Sequence, residues 1–206
     1  MFMEKIFVFQ IQHWYVNIPT CSIEHSVHTF DNLVKNNAIP KKCLRPTFYK
    51  SNNLCEKVND VRYHILNLYS NPSYSLEKVI NNVCNTSHVM DYVTSWMLLD
   101  FFKLLGYKHC SSVSERKVLE NVALQLETFG LWEWAIYILL HIESKFERET
   151  SIQNVLIRNI ELHDKESLDK QRFVIDDLGI PRYWIDVAKY YKSKRIHNSW
   201  FEFNFY

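Results

Sequence analysis

Glycine is nearly missing from this chain: three occur in 206 residues, Gly106, Gly130 and Gly179. That excludes a glycine-rich loop able to cradle a phosphate. Each of the three instead follows an apolar-periodic run, where a left-handed residue would close a helix. Proline is scarce as well, and none of the five lies between Ser73 and Ile180, so helices can run freely through that block. An excess of either charge is lacking. The 24 Lys+Arg stand against 23 Asp+Glu for a net charge of +1, divided as +3 over residues 1–57 and −1 over each of 58–130 and 131–206. No segment carries the basic surplus that a phosphate backbone or an anionic membrane demands. Long apolar runs are absent too: the longest, Trp134 to Leu140, falls far short of the roughly 20 residues a spanning helix needs. The opening MFMEKIFVFQIQHW has neither the apolar run nor the small-residue cleavage site of a secretory signal. The five cysteines, Cys21, Cys43, Cys55, Cys84 and Cys110, are odd in number and widely spaced, as reduced thiols of a cytosolic or nuclear protein would be.

What is present is core-forming material, 47% hydrophobic and 15% aromatic, enough for a real hydrophobic core. The stretch Gly130 to Glu143, GLWEWAIYILLHIE, is apolar around almost its whole helical circumference. Its polar or half-polar residues Glu133, Tyr137 and His141 fall at i, i+4 and i+8 on one narrow strip. Such a helix is expected to be buried nearly all round, at the middle of a stack, with Trp132 and Trp134 anchored against different neighbours and Glu133 facing outward. Before it, Val58, Val61, Ile65 and Leu68 have helical spacing, and Ser75 can cap a short helix. Asp91 opens an apolar helix ended by Gly106. Ser112 and Glu115 form a capping box for an outer helix presenting Val118, Leu119, Val122, Ala123 and Leu126 inward. Further helices follow around Ile152 to Ile160, from Leu168 to Leu178, and from Pro181 through Trp184, Ile185 and Ala188. Seven or eight helices on short loops predict an all-α protein, an irregular stack of antiparallel pairs. The helical domain is placed at residues 58–192. Residues 1–57, without a sustained helical period and with Phe7, Phe9 and Ile11 alternating as in a strand, are left unassigned. So is the aromatic tail 193–206, where SWFEFNFY alternates likewise. That tail is expected to cover the face of Trp184, Ile185, Val187 and Ala188 only in part.

Reactive chemistry finds little support. His109 and Cys110 are adjacent in a loop, an arrangement that seldom orients a thiol against its base. No CxxC, HxxxH or HExxH spacing marks a zinc site. The acidic residues Glu161, Asp164, Glu166, Asp169, Asp176 and Asp177 are interleaved with Lys165, Lys170 and Arg172, the pattern of a solvated helix with i,i+4 pairs. The basic run Lys189, Lys192, Lys194 and Arg195 suits either a helix C-terminus or nucleic acid, the former explaining it better. No catalytic, cofactor-binding or metal residue is assigned, and a scaffold or adaptor is expected.

The segment QLETFGLWEWAIYILLHIE, with DYVTSWMLLDFFKLLGY before it and LGIPRYWIDVAKYY after it, resembles the Y-complex scaffold nucleoporins of about ninety-six kilodaltons, which arise from a precursor shared with an FG-repeat nucleoporin. HILNLYSNPSYSLEKVI is similar to the same family, and the likeness covers roughly Val58 to Tyr191. It implies an ancestral coatomer element, an irregular α-helical solenoid built into the nuclear pore at the nuclear envelope and supporting mRNA and protein transport. It also implies no enzymatic activity and no cofactor. The implied partners are other Y-complex nucleoporins and a WD-repeat propeller protein, with no small-molecule substrate, nucleic acid or transmembrane segment. Trp96, Phe102, Leu105, Leu126, Trp132, Trp134, Ile138, Leu139 and Trp184 would then be the structural core motif. Residues 1–57 carry no likeness, so the segment that adds a blade to the propeller is expected to be missing, as in a truncated paralogue or partial gene product. A free-standing adaptor or vesicle-coat-like module is the alternative.

Overall fold

A computed structural model of the chain describes residues 23–38, 46, 59–71, 73–88, 90–107, 109–161 and 164–203. Among them every regular element is helical and no strand occurs. The chain divides into two compact units, Met1–Ser111 and Ser112–Tyr206.

Among the described residues, the first unit begins with a helix in a region where the sequence shows no sustained helical period. In α1 (Ile23–Lys35), Val27, Phe30 and Val34 recur at i, i+3 and i+7 and are buried, packing α1 onto α2 (Val61–Ser70). The Phe30 ring centroid lies 6.5 Å from that of Tyr63, whose hydroxyl donates to Asp31 Oδ1 at 2.8 Å. The strand expected at Phe7, Phe9 and Ile11 lies outside the described residues. Asp60 caps α2 by accepting the Arg62 N–H. Ser75 caps a single 3₁₀ turn, Leu76–Lys78, which leads through buried Val79 and Ile80 to the short helix α3 (Asn82–Asn85).

Helix α4 (Val93–Leu104) starts where Asp91 accepts the Val93 N–H. It ends in a Schellman turn, with the Tyr107 N–H bonded to Phe102 O and the Gly106 N–H to Lys103 O. Gly106 sits at φ +90°, where a side chain would be strained. The Tyr107 ring closes the turn against Phe102.

The second unit holds α5 (Ser112–Thr128), α6 (Trp132–Leu139), α7 (Lys145–Asn159), α8 (Lys165–Asp176) and α9 (Arg182–Phe203). Gly130, at φ +76°, repeats the Schellman turn between α5 and α6: its N–H meets Glu127 O, and the Leu131 N–H meets Leu126 O. Helix α6 packs against α5, α7 and α8, and α9 packs against α7. Each packing partner is therefore the next helix or the next but one, the order that builds a layered helical stack. Ala135 and Ile136 at the centre of α6 have no exposed surface.

Two expectations about the C-terminal end are corrected. The stretch read as an alternating tail continues α9 to Phe203, because nothing after Pro181 breaks a helix. Trp184, Ile185 and Ala188 are buried rather than left open, and Val187 alone of that group faces outward.

Candidate functional site

A helical stack acts through its surface, so the side chains that fix its faces come first. At the C-terminal end of α5, Glu127 accepts from both Arg158 Nε (3.0 Å) and Nη2 (2.7 Å), and from Asn159 Nδ2 (2.7 Å). This bidentate pair ties α5 to α7 and, chiefly through its hydrogen bonds, raises the Arg158 pKa further above the arginine range. Near the other end of α5, Arg116 pairs with Glu147 of α7. A cavity of about 380 Å³ with a mixed lining lies there, bordered by Arg116, Leu119, His141, Ile142, Ser144 and Glu147 among others.

Helix α6 inverts part of the expectation. Glu133 is 8% exposed and Trp134 47% exposed, whereas the outward residue was to be Glu133. The helical arc left open by α5, α7 and α8 is centred on Trp134, Tyr137 and His141, and Glu133 lies at its edge, under Lys170. Lys170 Nζ donates to Gly130 O (2.7 Å) and Glu166 (2.8 Å) and stands 3.8 Å from Glu133 Oε2. Its pKa is raised, first by the Glu166 hydrogen bond and also by Glu133. The lysine thus holds α8 to both α6 and the turn that closes α5. The four rings of Phe173, Trp134, Tyr137 and His141 form a ladder with successive centroid separations of 5.3, 6.1 and 5.1 Å.

Of the residues expected to form the core, Phe102, Trp132, Ile138, Leu139 and Trp184 are buried, and Trp96 and Leu126 are half-buried. Leu105 and Trp134 are exposed. Leu105 follows the last turn of α4 and joins Met97, Phe101 and Leu104 on an outward stripe. His109 is exposed, and its backbone carbonyl accepts the Leu76 N–H, a loop-closing role. The basic run Lys189 to Arg195 lies within α9, well before its end, so the helix-terminus explanation does not hold. The acidic stretch does show the expected pairs, Glu166–Lys170 and Asp169–Arg172. Among the described residues no group of three His, Cys, Asp or Glu could share a metal ion, and no helix is long and apolar enough to cross a membrane.

Comparison with known proteins places this architecture. The chain is 36% identical over 185 residues, 89% of its length, to the nuclear pore complex protein Nup98-Nup96 of Drosophila melanogaster. It is 26% identical over 140 residues, 68% of its length, to the Nup98-Nup96 protein of Caenorhabditis elegans. It is 27% identical over 139 residues, 64% of its length, to the nuclear pore complex protein NUP96 of Arabidopsis thaliana. It spans only 9%, 8% and 13% of those proteins respectively. The model of the family described as Nuclear protein 96 matches residues 6–192. The likeness therefore does not begin at Val58, as the motifs alone suggested. Residues before it belong to the same matched region, and with nearly the whole sequence inside that match the chain belongs to the Nuclear protein 96 family.

Proposed function

We propose that the chain is a structural scaffold component of the nuclear pore complex, of the Y-complex type, and that it supports transport of mRNA and protein between nucleus and cytoplasm from a position at the nuclear envelope. The observation that carries this reading is the family match over residues 6–192, together with curated relatives named as nuclear pore complex proteins. The layered packing of α5 to α9 supports it, because stacked helices supply extended surfaces rather than a reactive centre. On this reading the protein is not a catalyst, and its partners are other scaffold nucleoporins of the Y-complex. The segment that adds a blade to a WD-repeat propeller was expected to be missing for want of likeness before Val58, and the match from residue 6 removes that ground. Co-expression with the propeller and size-exclusion chromatography decides that partnership.

Localisation of the tagged chain tests the proposal itself. A continuous rim at the nuclear envelope, coincident with other pore scaffold proteins, is the expected result. Cytoplasmic puncta would overturn it in favour of a vesicle-coat-like adaptor.

A further inference from the structure

The ring ladder along α6 and α8 is unusual in what it leaves uncovered. Large aromatic side chains gain most from burial, yet Trp134 and Tyr137 stay half open although the other sides of α6 are closely packed. Partly open Trp and Tyr on a rigid helix are the residue types that dominate binding hot spots. Their backbone is held on both elements, by the Lys170 contacts and by the packing of Ala135, Ile136 and Val174 beneath. A ligand would meet a preformed surface.

The charge beside the ladder says what kind of ligand. Phe173, the ring that contacts Trp134, is followed at i+3 and i+4 by Asp176 and Asp177. That spacing puts both carboxylates on the ring's side of α8, since Asp177 still has helical backbone angles. Both are exposed, and neither has an ion-pair or hydrogen-bond partner for its carboxylate among the described residues, unlike Glu166 and Asp169 earlier in the same helix. They stand at a helix C-terminus, where the backbone dipole already favours cations, so the dipole adds to their negative potential. Exposed π faces beside uncompensated carboxylates make a site for a cation that is flat and weakly hydrated. Guanidinium meets both demands, stacking on rings while pairing through its fork of N–H donors, whereas a compact ammonium does so less well.

We propose that the Phe173–Trp134–Tyr137 ladder with Asp176 and Asp177 is a docking surface for an arginine-bearing segment of a partner protein. This surface goes beyond the pore assignment and does not depend on it, because it can be tested on the purified chain wherever that chain resides.

The test is an NMR titration of the full ¹⁵N-labelled chain, with the Trp134 indole signal assigned by its loss in Trp134→Phe. The probes are an eight-residue Gly-Arg repeat and its lysine and citrulline counterparts. The arginine peptide is expected to shift the Trp134 indole in a saturable, salt-weakened way. The lysine peptide should bind several-fold more weakly, and the citrulline peptide should leave the signal unmoved. Asp176→Asn with Asp177→Asn should weaken the arginine peptide about ten-fold while leaving the other indole signals in place, and in Trp134→Ala the peptide should no longer shift the backbone amides of α6 and α8. An unmoved Trp134 signal with the arginine peptide overturns the proposal, as do equal shifts with citrulline. Concentration-dependent broadening of that signal without peptide also overturns it, by showing that a second copy of the chain is the occupant. So does a Trp134 response to single-stranded RNA that matches or exceeds the arginine peptide's.

Discussion

Among the described residues, α4 and α6 are the two most apolar helices, and they meet opposite fates. Helix α6 is covered on three sides by α5, α7 and α8, so Ala135, Ile136, Ile138 and Leu139 are all buried. Helix α4 buries Ser95, Leu99 and Phe102 and leaves Met97, Phe101, Leu104 and Leu105 outward. The four outward residues recur at i, i+4, i+7 and i+8, a spacing as regular as that of any core face. The difference lies in the neighbours. Helix α6 follows a 17-residue amphipathic helix and precedes a 15-residue one, whereas the helix just before α4 has four residues. Apolar content says that a helix gains from burial, but the length and order of adjacent helices decide how much of it is buried.

The largest effect expected from this contrast is between Ile136 and Leu104, residues of similar size. Ile136 is fully enclosed in the α6 core, so Ile136→Ala should cost about 2 to 5 kcal/mol from lost burial and a residual cavity. Leu104 is 81% exposed, and Leu104→Ala should stay within about 0.5 kcal/mol. Urea titration of both variants checks the pair, and similar midpoints would show that the α4 stripe is covered in solution.

A smaller effect separates Glu133 from Trp134, and here the structure reverses the order the sequence suggests. Removing Glu133 takes a carboxylate from under Lys170, which keeps Glu166 and the Gly130 carbonyl as partners. This ion pair, which is not hydrogen-bonded, is lost but the lysine is not stranded, so Glu133→Ala should cost about 2 kcal/mol at most, below the full penalty of an abandoned buried charge. Trp134→Ala removes a half-exposed ring that packs on Phe173 and Tyr137, and should cost about 1 kcal/mol. If Trp134→Ala proves the more damaging by several kcal/mol, the ladder is buried after all and cannot receive a ligand.

Much of the helix punctuation was legible in the sequence, in both units. Gly106 and Gly130 stand at positive φ where their position after an apolar run placed them, and Asp91 and Ser75 accept the N–H groups they were expected to cap. The position of α6 at the centre of the stack also followed from its composition. Its facing did not. A strip defined by polarity put Glu133 outside, but a lone carboxylate can be buried when a lysine from another helix reaches it, and Lys170 is 37 residues away in sequence. Helix α1 was missed for a different reason. Val27, Phe30 and Val34 carry its period, but His28, Thr29, Asp31 and Asn32 between them dilute it, and the prolines on either side suggested a region without helices. The ring ladder combines Trp134 with Phe173 of another helix, a pairing that no local pattern contains.

Both units bury polar side chains, and a histidine inside the first yields the smallest predicted effect. His64 of α2 is buried, and its Nδ1 shares a 2.6 Å hydrogen bond with the Tyr74 hydroxyl. Burial lowers the His64 pKa, the Lys78 ammonium lowers it further, and the Asp60 carboxylate opposes them. Burial likewise pushes the Tyr74 hydroxyl up to about 12, so it remains protonated at neutral pH. A histidine whose folded pKa is depressed binds its proton more readily when unfolded. Its neutral form therefore leaves stability unaffected above the ordinary histidine value of about 6.5. As pH falls below that value, the unfolded chain takes up the proton first and stability declines, until the pH passes below the folded pKa and the decline from this group ends. Other titrating groups contribute to the same window, so the quantity to measure is the difference in urea stability between the wild-type chain and His64→Gln from pH 8 to pH 5. The wild type should lose ground to the variant as the pH drops through 6.5, while above about pH 7 the gap between them should be constant. Parallel curves across the whole range would show that His64 is open to solvent and that the α2 side of the first unit is looser than its packing implies.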